Sequence, residues 1–155
     1  MGNAWHVFPF TPDLARELAE LEGVLASSPP AAGAVPTPNQ VLAALASFPE
    51  YRVIVRRWDR KEKQKGQFVY IKLLRADGSF AIAINLLGVS ADDRPAGAFA
   101  FEYYQETEEL VRIVARLADL CGPLVLSHDS GCEKSIVIAP GDSAEQGAAP
   151  DRRGT

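Results

Sequence analysis

Cysteine is scarce in this chain of 155 residues, with Cys121 and Cys132 as the only two. Two cysteines cannot supply the disulfide framework that stabilises many small secreted domains. The sequence also lacks any run of about 18 apolar residues, the length that a membrane-spanning helix needs. The first residues show no basic segment followed by an apolar one, so no secretory signal is expected. These absences together predict a cytoplasmic protein whose thiols stay reduced.

The overall composition has no excess of basic residues. Hydrophobic residues make up 47% of the chain and charged residues 23%, and the formal net charge is −4. These fractions are ordinary for a globular domain and exclude a wholly disordered or collagen-like chain. A net negative charge argues against a general nucleic-acid binder, because such a protein needs an excess of lysine and arginine to bind phosphates.

Two segments lack what a folded element needs. Residues 27–38 are rich in proline, which cannot continue a helix or a central strand, and we interpret them as an internal connector. Residues 141–155 contain no Leu, Ile, Val, Phe, Tyr or Trp, so they have no large side chain to bury and are predicted to form a disordered tail. Residues 1–140, which include the connector, are expected to form a single domain.

Three helices are predicted from their end signals and apolar stripes. Thr11 and Thr37 each precede a proline, which is typical of an N-cap followed by the first helical residue. Gln40 follows Thr37 at a spacing of three and completes a capping box. A third amphipathic segment begins with two glutamates and ends before Gly122, a residue type favoured just beyond a helix.

Between the second and third helices the apolar residues alternate with a period of two, which indicates strands. Four strands are predicted at residues 51–58, 67–74, 79–87 and 98–104, and two short strands at 124–127 and 135–139. This order predicts an α+β fold with an antiparallel sheet, a meander of about four strands plus two short C-terminal strands. We expect the helices to pack on one face of the sheet, the face that carries Phe80, Ile82, Ile84 and Leu86. The opposite face is expected to carry small or polar side chains.

Basic residues are concentrated in residues 52–65, whose net charge is +5 while the rest of the chain totals −9. Within this segment the candidate partner-binding residues are Arg56, Arg57, Trp58, Arg60, Lys61 and Lys63. One interpretation is a basic hairpin with an aromatic anchor that docks on an acidic protein. The other is a solvated hairpin tip whose lysines discourage edge-to-edge pairing of strands. For a docking hairpin, an acidic protein is favoured over a nucleic acid, because the acidic domain repels phosphate backbones.

A second candidate is the polar segment 127–132, which places a histidine, an aspartate, two serines and a cysteine on one turn. A small enzyme with a pocket near His128 and Asp129 is the alternative function, because nucleophilic catalysis needs a base that a third group orients. Such triads are normally assembled from separated segments, so the pattern favours a polar hairpin turn. The two cysteines, His128 and Asp129 lack the spacing of a zinc site, and no metal or cofactor is expected.

Two stretches of the sequence carry a family resemblance. They are residues 36–53, PTPNQVLAALASFPEYRV, and residues 117–131, LADLCGPLVLSHDSG. Both resemble small bacterial proteins of α+β type, some of which are similar to immunity proteins that neutralise a toxin from rival cells. The resemblance rests on a helix, a Gly-Pro pair and a strand, so it transfers no functional residue. It implies a protein-binding role. Separately, the sequence contains no P-loop, G-x-G-x-x-G or H-E-x-x-H motif, so nothing in it supports enzyme activity. The oligomeric state stays open, a homodimer included.

Overall fold

The structure is a computed structural model that describes residues 4–23, 34–59, 67–130 and 134–142. Within these ranges the chain forms three helices and seven strands. The helices are α1 (Pro12–Glu22), α2 (Pro38–Leu45) and α3 (Thr107–Cys121). The strands are β1 (Trp5–Pro9), β2 (Arg52–Asp59), β3 (Gln67–Leu74), β4 (Phe80–Val89), β5 (Ala98–Tyr103), β6 (Leu124–His128) and β7 (Ile136–Ile138). Each of the three helices falls short of the length and apolar character needed to cross a membrane.

The described strands form one antiparallel sheet in the order β2-β3-β4-β5-β1-β6-β7. The α+β fold class, with helices packed against an antiparallel sheet, is therefore confirmed. Strands β2 to β5 form the predicted meander. The turn between β3 and β4 places Gly78 at a φ of +86°, a conformation that glycine adopts without steric strain.

Strand β1 is missing from the sequence prediction, which therefore has six strands where the structure has seven. It lies between β5 and β6, and Trp5 faces Phe101 on one side and His128 on the other. A run of five residues ending at Pro9 is too short for a period of two to identify a strand. Because β1 joins the meander to the C-terminal strands, all seven strands share one sheet.

One face of the sheet, called here the covered face, packs against α2 and α3. Its buried strand residues include Val69, Ile71, Leu73, Ile82, Ile84, Leu86, Phe99 and Phe101. From α3, the fully buried residues Leu110, Ile113, Val114 and Leu117 meet them. This spacing of threes and fours is the apolar stripe of an amphipathic helix. The stripe ends before Leu120, which follows Leu117 at a spacing of three but is 40% exposed.

Helix α1 packs on the opposite face, which corrects the expectation that the helices share one face. Leu18 is buried with Phe10 and Val125, and Leu14 packs against the same small cluster. In β6, Val125 alternates with the covered-face residues on either side, so it points to the other face. The apolar stripe of α1 is buried only in part, because Leu18 is buried whereas Leu21 is 81% exposed. A stripe also does not tell which side of a sheet a helix covers.

Phe80 also lies on the opposite face, in contrast to the prediction that grouped it with Ile82. Leu73 faces Ile82, but the adjacent Leu74 faces Phe80, because the register between β3 and β4 shifts at this point. Such an irregularity inserts an extra residue into one strand, here Ala81, so that the side chains before and after it no longer keep the simple alternation between faces. The alternation read from the sequence is therefore broken at the start of β4.

The predicted helix starts are confirmed. The hydroxyl of Thr11 accepts a hydrogen bond of 3.1 Å from the N–H of Leu14. Thr37 and Gln40 form the complete capping box, with bonds of 3.0 and 2.9 Å. These local contacts fix where α1 and α2 begin.

The predicted connector and tail are only partly described. The connector, residues 27–38, lies within the described residues from residue 34 onward, where Val35 packs against the core. Of the predicted tail, residues 141–155, only the first two residues are described. The Gly141 N–H there donates a hydrogen bond of 2.7 Å to a carboxylate oxygen of Asp119. The predictions for the other residues of both segments fall outside the described part of the chain.

Candidate functional site

No described helix covers the part of the opposite face that lies beyond α1, called here the open face. The residues on it are Arg52, Ile54, Arg56 and Trp58 of β2, Phe68, Tyr70, Lys72 and Leu74 of β3, Phe80, Ala83, Asn85 and Leu87 of β4, Ala98, Ala100 and Tyr103 of β5, and His6 of β1. Strand alternation places them there, because their neighbours in sequence fill the covered face. Several of these side chains are exposed to solvent, among them Arg56, Trp58, Leu87 and Tyr103.

Aromatic rings are grouped at two places on the open face. The ring of Trp58 stacks on that of Phe68, with centroids 5.4 Å apart, and lies 6.4 Å from that of Tyr70. Phe80 and Tyr103 meet edge to face at 4.6 Å. Trp58 remains 48% exposed and Tyr103 54% exposed. Exposed aromatic side chains grouped on one face are characteristic of interaction surfaces.

The charged side chains of the open face on β2 and β3 are basic. Arg52 and Arg56 are exposed, and neither forms an ion pair with a carboxylate of the described residues. The Nζ atom of Lys72 lies 5.2 Å from the centre of the Phe80 ring, a cation–π arrangement. These cations and rings together form a basic, aromatic surface.

The basic cluster predicted from the sequence is divided by the structure. Arg56 and Trp58 lie on the open face, whereas Arg57 points to the other side of β2. There its guanidinium binds both carboxylate oxygens of Asp92, at 2.7 and 3.1 Å. Strand alternation alone accounts for this separation. The other candidate residues of the cluster, Arg60, Lys61 and Lys63, lie outside the described residues.

The middle of the open face is formed by small side chains. One row across the strands runs from Arg56 through Tyr70, Asn85 and Ala100 to His6. Asn85 is 6% exposed, and its Oδ1 atom has no hydrogen-bond partner among the described residues. Leaving a buried acceptor unpaired costs about 1–3 kcal/mol. The open face therefore has an unsatisfied polar atom at its centre.

His128 and Asp129, the residues of the alternative catalytic hypothesis, do not bind each other. The Nδ1 atom of His128 accepts a hydrogen bond of 3.2 Å from the backbone N–H of Ser130, whose Oγ lies 2.6 Å away. Asp129 instead contacts the Nε2 atom of His6 at 3.2 Å. Asp129 is therefore placed to orient His6 and not His128. The bonds of Ser130 within the turn are those expected of a polar turn.

Cys121 is the one cysteine within the described residues, and it is a free thiol. Burial raises its pKa to about 11, so the thiol stays protonated at neutral pH. Its Sγ atom lies 3.1 Å from the carbonyl oxygen of Leu117 in the same helix. A protonated, partly buried thiol is a poor nucleophile and a poor metal ligand. No group of three or more His, Cys, Asp or Glu side chains in the described part of the chain could hold a metal ion.

A buried ionic network joins α3 to the loops at the ends of β2 and β3. The carboxylate of Glu109, 11% exposed, accepts two hydrogen bonds from the guanidinium of Arg75, at 2.9 and 3.1 Å. The hydroxyl of Tyr51 donates to the same carboxylate. Burial alone would raise the pKa of Glu109, but the bonds from Arg75 and Tyr51 outweigh it and hold that pKa below its ordinary value. Burial, together with the Glu109 carboxylate, raises the pKa of Tyr51.

No pattern in the sequence predicts this network. A glutamate at position 109 is already accounted for by its place in the first turn of α3, where the helix dipole favours a negative charge. Nothing in the pattern linked it to Tyr51 or Arg75, which lie 58 and 34 residues away. Because Tyr51 and Arg75 both bind the carboxylate of Glu109, we interpret the network as a structural clamp.

A small cavity of about 130 Å³ lies between α1 and the sheet. Its wall includes the apolar side chains of Leu18 and Val125 and the carboxylate of Glu22. That carboxylate accepts hydrogen bonds from the backbone N–H of Ser135 at 2.6 Å and from its hydroxyl at 3.0 Å. These bonds tie the end of α1 to the segment before β7, which is a structural role.

Comparison with known proteins assigns neither a family nor a function. No protein-family model, no curated protein and no solved structure matches this chain. The candidate functional site therefore rests on the geometry of the open face.

Proposed function

We propose that this chain is a cytoplasmic binding protein without catalytic activity, which docks an acidic protein through the open face. In line with the resemblance to immunity proteins, the partner is a toxin that the chain neutralises. One observation carries the proposal. On a sheet face that no described helix covers, exposed aromatic rings lie beside arginines that have no described ionic partner.

The exposed rings support a binding role through the hydrophobic effect. Covering the exposed part of Trp58 would remove roughly 100 Å² of apolar surface from water. That area corresponds to about 2.5 kcal/mol of favourable free energy before the costs of ordering. Tryptophan, tyrosine and arginine are also the residues most enriched among those that dominate binding energy at protein interfaces. Trp58, Tyr103 and Arg56 bring these three residue types together on the open face.

The positive charge of the open face favours an acidic protein as the partner over a second copy of this chain or a nucleic acid. A two-fold interface pairs the same surface patch of both molecules. A second copy docked face to face would therefore set the basic patch of Arg56 and Lys72 against an equally basic patch. A nucleic acid would meet the repulsion of a chain with a net charge of −4. An acidic protein surface complements the local positive charge and can cover the rings.

Site-specific cross-linking in the native host tests this proposal. A photo-reactive benzoylphenylalanine replaces Trp58 in one strain and Leu120 in another. Leu120 is the control because its side chain is 40% exposed on α3, away from the open face. We expect an adduct with an acidic protein from position 58 and not from position 120. The same adduct from both positions, or an adduct with nucleic acid, would contradict the proposal.

A charge-reversal pair tests the role of the basic residues. Arg56→Glu should abolish the adduct at position 58, whereas Arg94→Glu should leave it unchanged. Arg94 is a matched control, because it is also exposed and forms no ion pair among the described residues.

The immunity role has a growth test of its own. Producing the cross-linked partner in a host that lacks this chain should arrest growth. Co-production of the wild-type chain should restore growth, and co-production of Trp58→Ala should restore it less. A partner that is harmless when produced alone would contradict the immunity role while leaving the docking role intact.

A further inference from the structure

Strand β2 forms one edge of the sheet, because β3 is its only partner among the described strands. In an antiparallel pair, the N–H and C=O groups of alternate residues point to opposite sides of a strand. Half of these groups in β2 therefore point away from β3, and no main-chain group of the described residues pairs with them. Each of residues 52–58 is at least partly exposed, whereas residues 81–86 of the interior strand β4 are all buried.

The two edges of the sheet differ in how readily they can accept another strand. At the far edge, β7 is only three residues long. Strand β2 has eight residues, contains no proline and pairs with β3 without a bulge from Arg52 to Asp59. Short strands, prolines and bulges are devices that protect exposed edges from pairing. Because β2 lacks all three, its outer edge can accept a further strand.

Contacts near both ends hold β2 in place. Tyr51, directly before the strand, donates a hydrogen bond to the carboxylate of Glu109 on α3. Near the other end, the guanidinium of Arg57 binds both carboxylate oxygens of Asp92. An edge that is already ordered loses little conformational freedom when a strand adds to it, which favours binding.

The side chains of β2 on the open face define the strand that fits beside it. In order they are Arg52, Ile54, Arg56 and Trp58, so cations alternate with apolar groups. The two arginines are four residues apart, which is about 14 Å along a strand. Residues directly opposite each other on adjacent strands share a face, and opposite charges there stabilise the pair. The complementary strand therefore carries two carboxylates four residues apart, with an apolar residue midway between them.

We propose that the acidic partner docks by adding a strand to the outer edge of β2. Its main chain continues the sheet through hydrogen bonds to β2. Its carboxylates lie opposite Arg52 and Arg56, and its apolar side chains lie opposite Ile54 and Trp58. The inference rests on the proposed function and specifies both the conformation and the sequence pattern of the docked segment.

Charge and hydrogen bonding together select an acidic strand. Strand β2 itself carries three arginines and one aspartate. Pairing it with the same strand of a second copy would set one basic edge against another, which disfavours a dimer formed through this edge. A nucleic acid has no main-chain amides with which to continue the sheet. An acidic strand of another protein supplies both the carboxylates and the main-chain groups.

The first measurement is selection of peptides on the full chain. Peptides with seven randomised residues are displayed on phage, and the enriched ones are synthesised and measured by fluorescence anisotropy. We expect two acidic residues four positions apart with an apolar residue midway. Moving one acidic residue by one position turns it to the other face of an added strand and should weaken binding about tenfold. Arg56→Glu should weaken binding of the original peptide by a similar factor, and Arg94→Glu should leave it unchanged.

The second measurement tests the main-chain hydrogen bonds directly. One selected peptide is made in two forms, each N-methylated at every second residue but in opposite phase. In an added strand, alternate N–H groups face β2 and the others face away from it. One form should therefore bind about tenfold or more weakly than the other, because it has lost the donors that β2 needs. Equal binding of the two forms would overturn strand addition.

Hydrogen exchange on the full chain locates the bound peptide. In the free chain, alternate amides of residues 52–58 should exchange rapidly, because they have no partner among the described main-chain groups. Bound peptide should slow these amides about tenfold or more and leave those of β7 unchanged. Protection at β7 alone, or protection of β2 that rises with the concentration of the chain without peptide, would overturn the proposal.

The outcomes separate this inference from the proposed function. If Arg56→Glu and Trp58→Ala weaken peptide binding but the two methylated forms bind equally, the open face docks peptides without an added strand, and the inference alone fails. If neither substitution weakens binding, or no peptide is enriched, the proposed function fails with it. A single-stranded oligouridine that binds tightly and loses affinity in Arg56→Glu would overturn the protein partner.

Discussion

Ile84 and Asn85 are neighbours on β4, but the two faces of the sheet give them opposite environments. Ile84 is fully buried on the covered face and packs within the main core cluster. Asn85 points to the open face and keeps an acceptor atom without a partner among the described residues. The covered face is filled by large side chains in contact with helices, whereas the open face exposes rings and cations. The difference indicates that the covered face supplies most of the stability of the domain, and the proposed docking role uses the other face.

The largest expected effect comes from the covered face. Leu117→Ala removes a fully buried side chain from the middle of α3 and should lower the free energy of unfolding by about 2–5 kcal/mol. Urea denaturation measures the change. Arg116→Ala, one position away and exposed, should cost roughly 0.5 kcal/mol or less. Equal losses for the two variants would mean that this side of α3 contributes no more stability than an exposed position.

Breaking the Glu109 clamp should cost less than truncating a fully buried side chain of the covered face, and its effect should depend on pH. Glu109→Gln removes the charge bound by Arg75 and should cost about 2 kcal/mol at neutral pH. The pKa of Glu109 is lowered in the folded state, so its contribution is full above the unfolded pKa of about 4.3 and is lost as the pH falls through the folded pKa. Urea denaturation of the wild-type chain and of Glu109→Gln should show that the difference in their free energies of unfolding shrinks from neutral to acidic pH. A constant difference would exclude linkage to this carboxylate.

On the open face, Trp58→Ala should affect stability less than an equivalent truncation on the covered face. The ring is half exposed, and its stacking on Phe68 is worth about 1 kcal/mol. Phe101→Ala, which truncates a fully buried ring, should cost about 3–5 kcal/mol. Denaturation of the two variants compares the faces directly. A larger loss for Trp58→Ala would assign the open face to the core.

The smallest effect on stability is expected for Arg56→Glu. An exposed arginine without an ion pair among the described residues should contribute within about 0.5 kcal/mol. Its effect should appear in the kinetics of binding, as slower association that is most pronounced at low salt. Stopped-flow measurements with the partner identified by cross-linking at position 58 test this. An unchanged association rate at low salt would remove Arg56 from the docking surface.

The sequence predicted well those features that depend on residues close together in the chain. Thr37 and Gln40 predicted the start of α2, because a capping box needs only a spacing of three. Asp77-Gly78 predicted the turn between β3 and β4 for the same reason. The position of β1 depends on pairing with residues more than ninety positions away, and no local pattern carries that information.

The candidate site was predictable only in part. The concentration of basic residues in the sequence identified Arg56 and Trp58 as candidates. Because side chains alternate along β2, Arg57 points to the other face of the sheet. The shift of Phe80 to the open face required knowledge of an irregular register. The unpaired amide of Asn85 depends on which side chains surround it in space, so the alternation of a strand cannot reveal it.

The central place of β1 has a consequence for how the chain folds. Strand β1 precedes the other described strands in the chain but needs both β5 and β6 as partners, and its contact between His6 and Asp129 spans 123 residues. The meander can assemble during synthesis from neighbouring hairpins, but the sheet is completed only when β6 has emerged. Non-local pairing of this kind slows folding, because a long loop must close before its contacts contribute. Until then the edge of β1 that pairs with β6 remains unprotected, and a chaperone or a second unfinished chain can occupy it.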